Sequence, residues 1–170
     1  PGNAVAQRSE RLGLAFDSEV VRAQYQEMIA AYEEAGVNVY EIPAEAGLPY
    51  QVYARDSSVM TPWGAIIMQM EKPYRRGEYA AVLRFYLEHG IPIYDIVSAG
   101  NVEGGDFMVL KPGVAICGYS GERSIEPAVN QLKHWFEAEG WEFMTYAFDP
   151  HFLHLDVQMG MIAEDLAVVC

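Results

Sequence analysis

The sequence predicts an α/β fold assembled from repeats, each running hairpin, helix, strand. Two spacings carry the prediction. Asp56, Asp106 and Asp156 each stand just before a hairpin signal, 50 residues apart. Gly36, Gly90 and Gly140 each stop a helix-patterned segment just before a strand, separated by 54 and 50 residues. A fixed period of this size marks a solenoid, a propeller or a closed ring of modules. The chain has 170 residues, 51% of them hydrophobic, which suffices for a sizeable core. One domain is therefore expected over residues 1–170, with modules at about 17–70, 71–119 and 120–170.

The elements follow in order. Residues 1–16 show no clear period and read as an irregular lead-in. Asp17 and Ser18 can cap a helix; Val21, Tyr25, Met28, Ile29 and Tyr32 then recur at helical spacing up to Gly36. Val37, Val39 and Ile42 form a short strand-like run that Pro43 ends. Residues 51–61 and 65–70 flank the turn Pro62-Trp63-Gly64, a hairpin signal. Tyr79, Val82, Leu83 and Tyr86 share one helix face, and a strand follows over 91–96. The order then repeats. Strands at 107–110 and 114–119 flank Lys111-Pro112-Gly113. Ser124 is expected to cap a helix with Pro127 in its first turn; Val129, Leu132, Trp135 and Phe136 form its apolar face, and a strand runs over 141–146. A third hairpin is expected over 157–162 and 166–170.

Composition excludes several function classes. The net charge is −13 and the sequence pI about 4.6, with no basic stripe to neutralise phosphates, so nucleic acid is not an expected partner. No apolar run approaches the roughly 20 residues that span a bilayer, and no signal peptide is visible. Cys117 and Cys170 form neither a disulfide framework nor a zinc spacing, so the expected location is cytoplasmic. The chain starts at Pro1 without an initiator Met and finishes on an apolar run, which leads us to expect a longer protein.

The candidate chemistry gathers before the hairpins. Asn101 to Asp106 reads N-V-E-G-G-D, placing Glu103 and Asp106 around Gly104 and Gly105, which would let a ligand come close. Equivalent loops of an array fall on one side, so Asp56, Glu103, Asp106, His154 and Asp156 should converge. On a strand, His154-x-Asp156 would point both side chains to one face. Facing carboxylates suit a guanidinium, whose donors form a fixed fork. A histidine beside a carboxylate suits acid or base chemistry near neutral pH. A metal held by His154, Asp156 and Glu103 is the competing reading.

Arg55-Asp56, Glu103-Gly104-Gly105-Asp106 and His154-Leu155-Asp156 together resemble the guanidine-modifying superfamily, which includes arginine deiminases, dimethylarginine dimethylaminohydrolases and amidinotransferases. The resemblance implies a pentein fold, an α/β-propeller of five ββαβ modules, of which this chain would supply about three. It implies hydrolysis of the guanidinium of arginine or a derivative to a ureido product through a covalent thiol intermediate, with no cofactor and no metal. Asp56 and Asp156 would grip the guanidinium, and His154 would be the acid/base, partnered by Glu103. Asp106, the repeat-mate of Asp56 and Asp156, would hold its loop. Arg123, with Arg75 or Arg76, would bind the substrate carboxylate.

The nucleophile departs from the family pattern. Cys117 reads as a core residue, and Cys170 sits where earlier hairpins carry ordinary core residues. The nucleophile is therefore expected outside this chain, in further modules or a complementing chain, and these residues alone are expected to be inactive. A homo-oligomer is compatible with the reading. Arg55-Asp56 and Asp156 favour the arginine deiminase type, with a dimethylarginine hydrolase or an amidinotransferase as alternatives. A non-catalytic pentein binding protein is the alternative from another class.

Overall fold

In the computed structural model, residues 4–14 and 16–170 are described, with side chains from residue 7 onward; Pro1 to Asn3 and Ala15, part of the expected lead-in, lie outside the described residues. The chain divides into two compact units, 1–41 and 42–170. In the first, the lead-in is not irregular: Ala4–Arg11 forms helix α1. Helix α2 spans Ser18–Glu34, and the Asp17 carboxylate accepts the backbone N–H groups of Glu19 and Val20. The apolar positions of α2 are present at helical spacing, yet none of its residues is buried. The strand expected near Val37 to Ile42 does not form. Alternating apolar residues make a strand only where a neighbour can pair with them.

The second unit carries the repeat. Strands β1 (Ser58–Thr61) and β2 (Gly64–Ile67) form an antiparallel hairpin. Helix α3 (Glu78–Glu88) then crosses over to β3 (Ile93–Ile96), which pairs parallel to β2. The same order recurs in β4 (Phe107–Lys111), β5 (Val114–Tyr119), helix α4 (Glu126–Ala138) and β6 (Glu142–Ala147). There β5 pairs antiparallel to β4 and parallel to β6. A third hairpin, β7 (Met159–Ala163) and β8 (Leu166–Val169), forms a two-stranded sheet. Each sheet thus begins at its hairpin, so module boundaries at 71 and 120 cut through the sheets instead of between them.

One apolar cluster joins the first two modules. Val59, Ile66 and Met68 meet Phe107, Ala115, Cys117 and Phe143, with Ala128, Val129, Leu132 and Phe136 of α4 between them. Phe136 is fully buried and lies edge-on to Trp63 and Trp141, with ring centroids 5.3 and 5.6 Å away. Aromatic pairs prefer such tilted contacts, and they add to the large area these rings bury.

Each hairpin is preceded by a single 3-10 turn: Ala54–Ser57, Gly104–Asp106 and Leu155–Val157. The 50-residue period seen in the sequence is therefore a period in backbone conformation. These three turns hold the candidate site.

Candidate active site

The turns are joined to one another by side chains. The Asp56 Oδ1 accepts the Gly105 N–H at 3.1 Å, and the Asp106 Oδ1 accepts the Leu155 N–H at 2.9 Å. In both cases the aspartate of one repeat holds the residue just before the aspartate of the next. Asp156 does something else: its Oδ2 takes the Arg55 Nε at 3.1 Å, while Arg55 Nη2 donates to the Phe107 carbonyl at 2.9 Å.

The two glycines of the middle turn are required by this closeness. A Cβ at Gly104 would lie 2.0 Å from the Arg55 carbonyl oxygen. At Gly105 it would lie 2.8 Å from Cγ of His154 and 3.1 Å from Oδ1 of Asp56. What approaches the glycines is the protein itself, which packs the three turns without an intervening side chain.

This packing brings Asp56, Glu103, Asp106 and His154 together, all buried. The His154 Nε2 faces Glu103 Oε2 at 3.5 Å and Asp56 Oδ1 at 3.8 Å. On the other side of the ring, Nδ1 lies 3.2 Å from Asp106 Oδ2, off the line that a straight hydrogen bond needs. Asp156 is not gathered in. Because residues 155–157 form a 3-10 turn rather than a strand, the alternation expected of His-x-Asp is lost: His154 is buried and Asp156 is exposed.

Two arginines enter the same cluster. Arg75 is 5% exposed; its Nη1 donates to Asp56 Oδ2 at 3.0 Å and lies 3.6 Å from Glu103 Oε2. Its Nε and Nη2 fork onto Glu78, at 3.0 and 2.8 Å. Its guanidinium also sits 5.6 Å from the centre of the Tyr53 ring. Half-buried Arg123 donates from Nη1 to Glu103 Oε2 at 3.0 Å. Arg76, by contrast, is exposed and donates to the Glu71 carbonyl at 3.2 Å. Of the two adjacent arginines, Arg75 lies inside the cluster and Arg76 outside it.

Burial pushes the Glu103 carboxyl up; Arg123, the Glu71 N–H and His154 oppose this without cancelling it. Burial pulls His154 down, but the Asp106, Asp56 and Glu103 carboxylates outweigh it, so the imidazole sits above its ordinary value. Both shifts act in the same sense: Glu103 and His154 each hold a proton to higher pH than the free side chain does. Counting Glu78, the cluster holds four carboxylates, three of them against its two guanidinium groups and the fourth, Asp106, against His154, which leaves an excess of negative charge suited to a cationic ligand. One atom each from Asp56, Glu103 and His154 lie within 4.8 Å of one another, close enough to hold a single cation. Both carboxylates in that set already receive an arginine N–H.

Two contributors escaped the sequence reading. Glu78 anchors Arg75, and the signal was the Arg75-x-x-Glu78 spacing at a helix start. Ser124 was expected to cap α4, but Ile125 occupies the cap without a side-chain hydrogen bond. The Ser124 hydroxyl instead donates to Asp106 Oδ2 at 2.5 Å and accepts the Glu103 N–H at 3.1 Å. Neither cysteine belongs to the cluster. Cys117 is fully buried and paired with Phe107 in the second sheet, where burial raises its thiol well above the ordinary range. Cys170 is exposed beyond the end of β8, its Sγ 3.5 Å from the Val157 carbonyl.

Residues 3–170 match the family described as N,N dimethylarginine dimethylhydrolase, eukaryotic. Among curated proteins, the chain is 28% identical over 146 residues to the uncharacterized protein YkgA of Bacillus subtilis (strain 168), covering 86% of this chain and 49% of that protein. The chain thus spans about half the length of this relative. Among solved structures, it is similar to a dimethylarginine dimethylaminohydrolase adduct with 4-chloro-2-hydroxymethylpyridine. The TM-score is 0.79 at 22% identity, over 90% of this chain and 61% of that one. It is also similar to the substrate-bound N-terminal domain of ArgZ, an arginine dihydrolase of the cyanobacterial ornithine-ammonia cycle. There the TM-score is 0.78 at 17% identity, over 90% of this chain and 56% of the other. These structural likenesses carry the fold, a partial α/β-propeller of the pentein type.

Proposed function

Because the chain belongs to the N,N dimethylarginine dimethylhydrolase family of the guanidine-modifying pentein superfamily, we propose that it supplies the acid/base half of a site that hydrolyses a guanidinium C–N bond. The observation that carries this reading is buried His154, with Glu103 and Asp56 before one ring nitrogen and Asp106 behind the other.

The proposed roles are these. The excess negative charge receives the guanidinium of arginine or an arginine derivative, with Asp56 nearest to it and Asp156 contributing once it parts from Arg55. A cysteine thiolate attacks the guanidinium carbon. The C–N bond to the departing amine breaks as His154 delivers a proton to that nitrogen. Water, losing a proton to His154, then displaces the thiolate and releases the ureido product. Of the three candidate arginines, Arg123, held by one carboxylate, is the one proposed to meet a substrate carboxylate; Arg75 is pinned by Glu78 and Asp56, and Arg76 stands outside. Since neither Cys117 nor Cys170 lies in the cluster, this reading takes the nucleophile from outside these 170 residues, and predicts that the chain alone forms no product.

Two substrates remain to be told apart. The family match favours a methylated guanidine, whereas the residues Arg55-Asp56 and Asp156, by their resemblance to arginine deiminases, favour unmethylated arginine. The test uses protein that includes the nucleophile-bearing residues, given arginine or asymmetric dimethylarginine. Citrulline is measured together with the amine released, ammonia or dimethylamine. His154→Ala should lower kcat by about 10²- to 10⁴-fold. Citrulline formation unaffected by that change would overturn the assigned role. Absence of turnover on both substrates, with the cluster intact, would favour a non-catalytic binding protein.

A further inference from the structure

The sequence pairs His154 with Glu103 and leaves Asp106 to its loop, but the ring's two nitrogens face different carboxylates. Nε2 looks toward Glu103 and Asp56; Nδ1 looks toward Asp106. Asp106 is fully buried and held on both oxygens. Its Oδ1 accepts the N–H of Leu155, the residue after the histidine, and its Oδ2 accepts the Ser124 hydroxyl. Ser124 is itself fixed, because its oxygen accepts the Glu103 N–H. The carboxylate therefore sits on the backbone of His154's own turn and cannot swing away, with its Oδ2 3.2 Å from Nδ1. That nitrogen, buried, has no other hydrogen-bond partner among the described residues, so a small ring rotation straightens the contact.

From this we propose that Asp106 is a positioning residue that keeps a proton on Nδ1 of His154, leaving Nε2 as the nitrogen that exchanges protons with substrate, and that Ser124 moderates its pull. A carboxylate that accepts N–H from an imidazole selects the tautomer and stabilises the imidazolium. A hydroxyl donating to the same oxygen withdraws part of that charge. The two residues thus act on His154 in opposite directions. The other charged groups facing the ring are Asp56 and Glu103, with their Arg75 and Arg123 partners; Asp106→Asn touches neither carboxylate directly, whereas Ser124→Ala also frees the Glu103 N–H. The proposal rests on the acid/base reading of His154, but its test does not use turnover.

The test is nitrogen-15 NMR of the histidine rings in the full chain, with His154 assigned by loss of its signals in His154→Gln. The parent should show Nδ1–H in the neutral form and a pKa above the unperturbed value of about 6.5. Asp106→Asn should bring the pKa down toward that value and return the tautomer toward Nε2–H. Ser124→Ala should move the pKa the other way, upward, with Nδ1–H retained. A purely structural role for the pair would make both variants shift His154 toward the unperturbed value, and that result overturns the proposal. So does an Nε2–H tautomer in the parent. If Asp106→Asn does not fold, the upward or downward sign of Ser124→Ala decides alone. Absence of activity with the Nδ1–H tautomer intact would sink the enzymatic reading and leave the positioning in place.

Discussion

At the scale of single residues, the site is built by what Gly104 and Gly105 lack. The sequence reading saw two glycines that let a ligand come close; the structure shows them letting Arg55, Asp56 and His154 come close. The residue types were legible because acid, histidine and glycine pairs each have few uses at a hairpin start. Their partners were not, since Arg75 onto Glu78 and Asp56, or Ser124 onto Asp106, depends on which turns stack and no local spacing encodes that. Nor was the splitting of His154 and Asp156, which needs the backbone to be a 3-10 turn. The two glycines should respond differently to alanine. At Gly104 the added carbon meets backbone oxygen that cannot rotate aside, so Gly104→Ala should cost about 3 kcal/mol by overpacking, read from urea unfolding. At Gly105 it meets the His154 ring, so the loss should fall on the histidine's titration more than on stability.

At the scale of elements, the hairpins and the two crossover helices were legible wherever an apolar pattern had something to pack on. Helix α4 is the clearest case. Val129, Leu132, Trp135 and Phe136 were assigned to its apolar face; Val129, Leu132 and Phe136 are fully buried in the cluster shared by the first and second sheets, and Trp135 is half-buried against it. Phe136 touches aromatic rings from three segments: Trp63, Phe107 and Trp141 with Phe143. Phe136→Ala should therefore destabilise by about 4 kcal/mol, a cavity that the surrounding rings close only in part, measured by tryptophan-monitored denaturation. The errors share one cause. The helix over Ala4–Arg11 has a mostly polar second half and offers no period to read, while Val37 to Ile42 offers a period and no pairing partner. Pattern reports what a segment can bury, and an element's existence depends on whether a surface is there.

At the scale of the whole second unit, the 50-residue period and the ββαβ order place the turns, and the sequence shows both. What it does not show is how unequal the modules are. The first two complete a three-stranded sheet around a shared aromatic cluster, whereas β8 pairs with β7 alone and buries none of its residues. Local stability follows burial, so amide hydrogen exchange in β8 should run at least about a hundredfold faster than in β5, which is flanked on both sides. Equal protection of the two strands would contradict this. The side-chain links among the three turns have one more consequence. Asp56 holds the second turn, Asp106 holds the third, and Asp156 returns to Arg55 of the first, so the links close into a cycle with no loose end. A cycle of this kind resists fraying: no turn can peel off without stretching the other two. Its weakest link is the exposed Arg55–Asp156 ion pair, which salt screens while the buried links go untouched. Ionic strength thus acts on this centre as a latch control, loosening the outer clasp while the inner joints stay shut.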